Sequence, residues 1–165
     1  MNLHAKLRIR AAQQKPISVA LIGAGKFGSM FLAQAVHTPG MHITGIADLS
    51  PERVQINLNR IGWEPERAKA TDLEEAIRTG QTFLCEDAMD LIQAEAVEVV
   101  IDATGSPAAG ILHALAAIEY GKHIVMVNVE ADTLAGPLLA EKARKAGVVY
   151  SLAYGDQPAL IAEIV

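Results

Sequence analysis

The sequence predicts an α/β fold in which a doubly wound parallel sheet of about six strands is covered by helices on both faces. Three observations lead there. Apolar runs of strand length recur along the 165 residues, with helical patterns between them. Most of these runs are apolar at successive positions instead of alternating, which is the pattern of parallel strands buried from both sides. Hydrophobic residues make up 51% of the chain and aromatics only 4%, an Ala-, Val-, Ile- and Leu-rich composition suited to helices packed on a sheet. Strand alternating with helix implies βαβ units with right-handed crossovers.

The elements follow in order. The opening MNLHAKLRIRAAQQKP carries Lys6, Arg8, Arg10 and Lys15 but no apolar stretch with a cleavage site behind it. Residues 1–15 are therefore expected to form a helix or arm outside the core, with an organelle-targeting peptide as the alternative. The first strand is ISVALIG (Ile17–Gly23), and a helix follows over Lys26–Val36. HITGIAD (His42–Asp48) is the second strand, after which Ser50 supplies an N-cap and Pro51 the first turn of a helix to Ile61. The stretch IGWEPERAKATDLEEAIRTG is long and polar for a simple crossover and predicts a loop with a short helix at Leu73–Arg78. TFLCE (Thr82–Glu86) and VEVVIDAT (Val97–Thr104) are the next strands, then a helix over Pro107–Tyr120. HIVMVNV (His123–Val129), a helix over Leu134–Ala146 and VVYSLAY (Val148–Tyr154) complete the pattern. Gly80, Gly121 and Gly147 each stand just past a helix and before a strand, as C-terminal caps. Residues 16–156 thus read as one domain. Residues 157–165 begin another helix, with Asp156 as cap and Pro158 in its opening, and are expected to lead into a catalytic domain.

Composition excludes several classes of function. A formal net charge of −5 opposes a nucleic-acid or acidic-membrane surface. The longest apolar candidate, ILHALAAI, is far short of the ~20 residues that cross a bilayer. A single cysteine, Cys85, forbids an intrachain disulfide and is expected to be a buried, inert thiol in a reducing cytoplasm. His37, His42, His113 and His123 lack metal-ligand spacing, and neither a nucleophile elbow nor a Walker loop is present.

The chemistry-bearing motif lies where the first strand ends. Gly23-Ala24-Gly25-Lys26-Phe27-Gly28 is a G-x-G-x-x-G pattern that leaves a strand and opens a helix, and Asp48 ends the next strand twenty residues past the last glycine. That conjunction is the fingerprint of a dinucleotide-binding, Rossmann-type domain. Gly23 permits the turn, Gly25 lets a pyrophosphate approach the main chain, and Gly28 lets the helix lie close to the sheet. The first amides of the helix, with the positive end of its dipole, receive the phosphate charge. Lys26 either adds to that field or is simply solvated. Asp48, with its neighbour Leu49, is expected at the adenosine ribose, where its carboxylate accepts from the hydroxyls and repels a 2′-phosphate, favouring NAD. Arg53 is the counter-argument, since a guanidinium there can receive that phosphate. Ala103-Thr104-Gly105, at the end of a central strand, lets the cofactor lie over the loop, and Asn128 is expected on the same rim. Asp102 reads as a partner of local backbone donors. Glu130 is the weak candidate for an acid, base or substrate contact, against a plain helix-dipole role. Tyr154, Gly155, Asp156 and Gln157 form a polar turn suited equally to capping and to substrate contact.

With these residues placed, the chain resembles the N-terminal domain of the homoserine dehydrogenase-like oxidoreductases that carry a SAF domain, a group that includes the DRL (1-deoxyxylulose 5-phosphate reductoisomerase-like) enzymes. The matching segments are VALIGAGKFGSMF, GIADLSPERV, GKHIVMVNVEADTLAGPLLA and AGVVYSLAYGDQPALI. The resemblance implies an NAD(P)-dependent oxidoreductase whose chemistry is completed by a following domain. DRL enzymes use NADPH to reduce and rearrange 1-deoxyxylulose 5-phosphate, so NAD and NADP both stay open. Homoserine dehydrogenases carry a lysine after the asparagine at this strand end, whereas Val129 and Glu130 follow Asn128 here, which argues against homoserine as substrate.

The expected function is hydride transfer between a nicotinamide cofactor and a small polar carbonyl or alcohol, phosphorylated or not. The alternatives are a non-enzymatic NAD(P)-binding sensor and, less well matched to the motif, a domain for another nucleotide such as S-adenosylmethionine. Partners are expected to be a small-molecule substrate, with neither nucleic acid nor membrane, and self-association is left open.

Overall fold

The computed structural model describes residues 2–153. Its elements are α1 (Leu3–Ala12), β1 (Ile17–Ile22), α2 (Lys26–Ala35), β2 (Met41–Ala47), α3 (Pro51–Arg60), α4 (Leu73–Thr79), β3 (Phe83–Cys85), α5 (Ala88–Ile92), β4 (Val99–Asp102), α6 (Pro107–Glu119), β5 (His123–Met126), α7 (Val129–Ala146) and β6 (Tyr150–Leu152). The strands form one six-stranded sheet in the order β3-β2-β1-β4-β5-β6. Every pairing is parallel. This is the doubly wound arrangement expected from strands apolar on both sides.

The two faces of the sheet bury separate cores. On one, Val19, Leu21 and Ile46 meet Leu32 of α2, Val54 and Leu58 of α3, and Trp63. The Trp63 indole N–H donates to the Leu32 carbonyl at 3.1 Å, so its polar edge is satisfied inside that core. On the other, Ala20, Ile22, Val100, Ile124 and Met126 meet Leu91 and Ile92 of α5, Ala114 and Ala117 of α6, and Leu139 of α7. Alternate residues of β1 feed opposite cores, as strand geometry requires. The chain after β1 goes to one face and the chain after β4 to the other, so the two loops part at the centre of the sheet. They part in contact: a Cβ on Gly23 would lie 2.8 Å from the Ala103 carbonyl oxygen.

Local chemistry explains the boundaries. Gly80 and Gly147 cap α4 and α7 in the left-handed conformation, with φ of 75° and 74°. Ser50 stands at the N-cap of α3 ahead of Pro51 but makes no side-chain cap bond; its hydroxyl instead donates to Glu52. The polar crossover contains a 3₁₀ turn at Pro65–Ala68 as well as α4. Residues 3–12 are helical, and Arg10 of α1 ties this helix to Glu98 at 2.7 and 2.9 Å.

Two expectations need correction. β5 ends at Met126, and α7 starts at Val129 instead of Leu134. The Asn128 side chain accepts from the Ala131 N–H at 3.0 Å and nucleates the helix there, with Glu130 and Asp132 in the first turn favouring its positive end. Pro137 is carried inside the helix. The second is α5, a five-residue helix between β3 and β4 that the sequence reading leaves unassigned.

Candidate functional site

The carboxyl ends of the central strands are brought level by backbone bonds just past each strand. Gly23 N–H donates to Ala47, Ala103 N–H to Ile22 and Val127 N–H to Asp102, each at 2.8 Å, and Asp48 N–H donates to Cys85 at 3.1 Å. Gly23, Asp48, Ala103 and Val127 therefore share one rim, where ligands enter open α/β sheets. A cleft of about 430 Å³ opens on it, between the loop after β1, the ends of β2 and β3, and the start of α6. That volume lies within the range of small-molecule sites.

The three motif glycines differ in what surrounds them. A Cβ on Gly23 would crowd Ala103, and φ there is 89°. One on Gly28 would lie 2.4 Å from the Gly23 carbonyl oxygen, so α2 approaches its own loop to a distance only glycine allows. A Cβ on Gly25 meets no protein atom within 4 Å. Two glycines thus answer to packing within the chain, while the middle one faces open cleft. The amides of Gly25, Lys26 and Phe27 have no hydrogen-bond acceptor among the described residues, as the first turn of a helix leaves them. This is a cradle into which a phosphate fits.

Asp48 stands at the lip of β2 and lines the cleft. Its Oδ2 accepts from the Ala24 N–H at 2.8 Å and its Oδ1 from the Ser50 N–H at 3.1 Å. One carboxylate so joins the glycine loop to the loop after β2. Each oxygen keeps accepting capacity for a hydroxyl. Leu49 beside it is 88% exposed and also lines the cleft, as do Ala103, Thr104 and Gly105. Ala24 is buried, its carbonyl held by the Asn57 side chain at 3.2 Å. Lys26, Phe27 and Arg53 are exposed and do not line the cleft.

Asn128 lies elsewhere. It is buried, caps α7 through Oδ1, and donates through Nδ2 to Thr104 Oγ1 at 3.2 Å and the Ser106 carbonyl at 2.8 Å. It joins the loops after β4 and β5 and is not among the residues lining the cleft. Glu130 is exposed in the first turn of α7, also outside the cleft lining. Tyr154, Gly155, Asp156 and Gln157 lie outside the described residues.

Sequence reasoning missed four polar residues of this cleft. Glu86 and Asp87, after β3, add two carboxylates beside Asp48, and among the described residues no lysine or arginine lines the cleft. Ser106 caps α6, accepting from the Ala109 N–H at 3.3 Å. His113, on α6, has Nδ1 2.7 Å from Oδ2 of Asp102, a carboxylate with no solvent exposure. Asp102 does satisfy local donors, as expected: its Oδ1 accepts from the Thr104 N–H at 3.2 Å and the Thr104 hydroxyl at 2.8 Å. The imidazole is the additional partner, eleven residues on.

Cys85 is buried, and its thiol is pushed up to about 12, first by burial and then by Asp90 and Asp87. It is no nucleophile. Among the described residues no group of three or more His, Cys, Asp or Glu side chains is placed to hold a metal ion, and no helix is long and apolar enough to cross a membrane.

Comparison with known proteins follows the same line. Residues 23–152 match the profile of the family described as "Homoserine dehydrogenase, NAD binding domain". A 1-deoxy-D-xylulose 5-phosphate reductoisomerase of Pseudomonas fluorescens is 33% identical over 94 residues, which cover 54% of this chain and 24% of that protein. Among solved structures, a homoserine dehydrogenase from Thiobacillus denitrificans superposes with a TM-score of 0.64 at 18% identity, covering 84% of this chain and 29% of the other. An NAD-binding oxidoreductase from Klebsiella pneumoniae gives 0.61 at 20% identity, covering 90% and 38%. A levoglucosan dehydrogenase in complex with NADH and levoglucosan gives 0.57 at 22% identity, covering 84% and 35%. The structural likenesses show the fold. The chain spans about a quarter of the reductoisomerase and roughly a third of these solved structures.

Proposed function

Because this chain belongs to the family of homoserine dehydrogenase NAD-binding domains, we propose that it is the cofactor-holding part of an oxidoreductase, with NAD preferred to NADP. The reaction is hydride transfer between nicotinamide and a small polar carbonyl or alcohol. The observation that carries this reading is the contrast among the glycines: Gly23 and Gly28 are closed in by the protein's own backbone, while Gly25 opens onto free space beside amides without acceptors among the described residues.

A bound dinucleotide supplies the hydride chemistry. The chain's own groups do the rest. The amides of Gly25, Lys26 and Phe27 take the pyrophosphate, aided by the helix dipole of α2. The Asp48 carboxylate accepts from the adenosine ribose hydroxyls. Ala103, Thr104 and Gly105 form a low wall along which the cofactor lies. The preference for NAD follows from charge: Asp48, Glu86 and Asp87 line the cleft and, among the described residues, no lysine or arginine does, so a 2′-phosphate meets like charge with no permanent cation opposite it. Arg53, exposed on α3, does not offset this. With Asn128 engaged in capping and Glu130 outside the cleft, we assign substrate recognition and proton transfer to the additional sequence its relatives carry. A cytoplasmic, reducing setting suits its one buried thiol.

Nicotinamide fluorescence titrations of the chain with NADH and NADPH test the reading. Saturable NADH binding, at least about tenfold tighter than NADPH (about 1.4 kcal/mol), is expected. Asp48→Ala weakens NADH and narrows that ratio. Absence of saturable binding by either dinucleotide would sink the proposal.

A further inference from the structure

We propose that Asp102 and His113 read the base of the dinucleotide, with Nε2 of His113, in the tautomer that carries hydrogen on Nδ1, accepting a hydrogen bond from the exocyclic amino group of adenine. This rests on the cofactor reading above and goes beyond it, because it names the group that tells one purine from another.

The order of groups along the cleft places the base. Phosphate belongs at Gly25 and the ribose at Asp48, so the base lies farther along, between the start of α5 and α6. There the cleft is walled by Ala47, Ala88 and Ala109, small apolar residues that leave room for a flat ring, and by His113. Ala109 and His113 are four residues apart on α6 and share one helix face. The His113 side chain is 18% exposed, and Nε2 has no hydrogen-bond partner among the described residues.

That Nδ1 is the donor is set from below. Oδ1 of Asp102 is taken by the Thr104 N–H and hydroxyl, and Oδ2 meets His113 Nδ1 at 2.7 Å. An ionised carboxylate only accepts, so Nδ1 must carry hydrogen, and in the neutral ring Nε2 is left with a lone pair facing the cleft. Adenine offers an amino donor at C6. Hypoxanthine offers a carbonyl oxygen at the same place, and two acceptors would oppose each other. Asp102 is thus a positioning residue: it never touches the ligand but sets the tautomer of the residue that does.

Substituting Asp102→Asn turns this into an inversion. The Thr104 N–H holds the amide oxygen on its side, so the amide NH₂ faces Nδ1 and donates to it. The ring proton moves to Nε2, which becomes a donor and now suits the hypoxanthine carbonyl. The experiment is a fluorescence titration of NADH against reduced nicotinamide hypoxanthine dinucleotide on wild type, Asp102→Asn and His113→Leu. Wild type is expected to prefer NADH by about tenfold, the worth of one hydrogen bond and its opposed counterpart. Asp102→Asn is expected to favour the hypoxanthine analogue, and His113→Leu to bind both alike. Equal binding by wild type, proportional weakening of both ligands in Asp102→Asn, or an intact preference in His113→Leu overturns the base contact and leaves the cofactor site standing. If neither dinucleotide saturates the wild type, the cofactor site falls, and the base contact with it.

Discussion

Substituting Gly25→Ala separates binding from folding. The residue stands at the N-cap of α2 with φ −69° and ψ −154°, extended backbone that alanine also adopts. Its new methyl would meet no protein atom within 4 Å. Alanine is worse than glycine at an N-cap by about 1 kcal/mol, and the stiffer unfolded chain returns about 0.4–1 kcal/mol. Net stability should stay within about 0.5 kcal/mol of wild type, a shift in Tm of no more than about 2 °C for a chain of this size. The methyl does occupy the space beside the free amides. Displacing one charge-assisted N–H bond to the phosphate costs about 1.5–3 kcal/mol. At about 1.4 kcal/mol per decade, that raises the NADH Kd about 10- to 150-fold. Gly28→Ala is the control, because its methyl would lie 2.4 Å from the Gly23 carbonyl oxygen. Backbone must move, costing about 1–3 kcal/mol, so its Tm falls by several degrees. Fluorescence titration and thermal unfolding of the two variants decide the matter. A Gly25→Ala protein that binds NADH like wild type, or that melts as early as Gly28→Ala, refutes the assignment of that space to a ligand.

Three further outcomes are expected. Cys85, 7% exposed with its thiol raised to about 12, should resist a thiol reagent at pH 8 in the native protein and react fully in denaturant; native labelling at the rate of a free thiol contradicts its burial. The same shift makes the protein less stable in alkali. As pH climbs from about 9 towards 12 the unfolded thiol ionises while the folded one keeps its proton, so ΔG of unfolding falls, with burial of Tyr150 acting in the same direction. A urea midpoint at pH 10 below that at pH 8, with a shallower fall in Cys85→Ala, is the sign to look for. Glu98→Ala removes the carboxylate that holds Arg10 and the Ser18 N–H. Because the pair is partly exposed the loss in stability is about 1 kcal/mol or less, but limited proteolysis within α1 should accelerate, and an unchanged cleavage rate would show that the tie does not hold the helix.

Much of this architecture was legible because it is written in short-range patterns. Apolar runs marked every strand of the sheet, and the spacing from Gly23 to Asp48 marked the glycine loop and the carboxylate that line one cleft. What stayed hidden depends on packing. The five residues of α5 are too few for periodicity to show. The periodic pattern suggested a helix from Leu134, yet α7 starts at Val129 because Asn128 caps it earlier. Asn128 sits on the expected rim, but the donors and acceptors of neighbouring loops claim its side chain. His113 lies in a run of alanine, leucine and isoleucine, and nothing local points it at Asp102. Only the docking of α6 on β4 brings the two within 2.7 Å.

The bond from the Ala24 N–H to Asp48 has a thermodynamic corollary. The carboxylate that would greet the ribose already braces the loop that would greet the phosphate. A newcomer therefore meets a receptor whose shape is set in advance, and little of its attraction is spent on freezing a wandering main chain. Cutting that brace with Asp48→Ala should slow capture as well as weaken it, since the loop must then find its form with the guest already at the door.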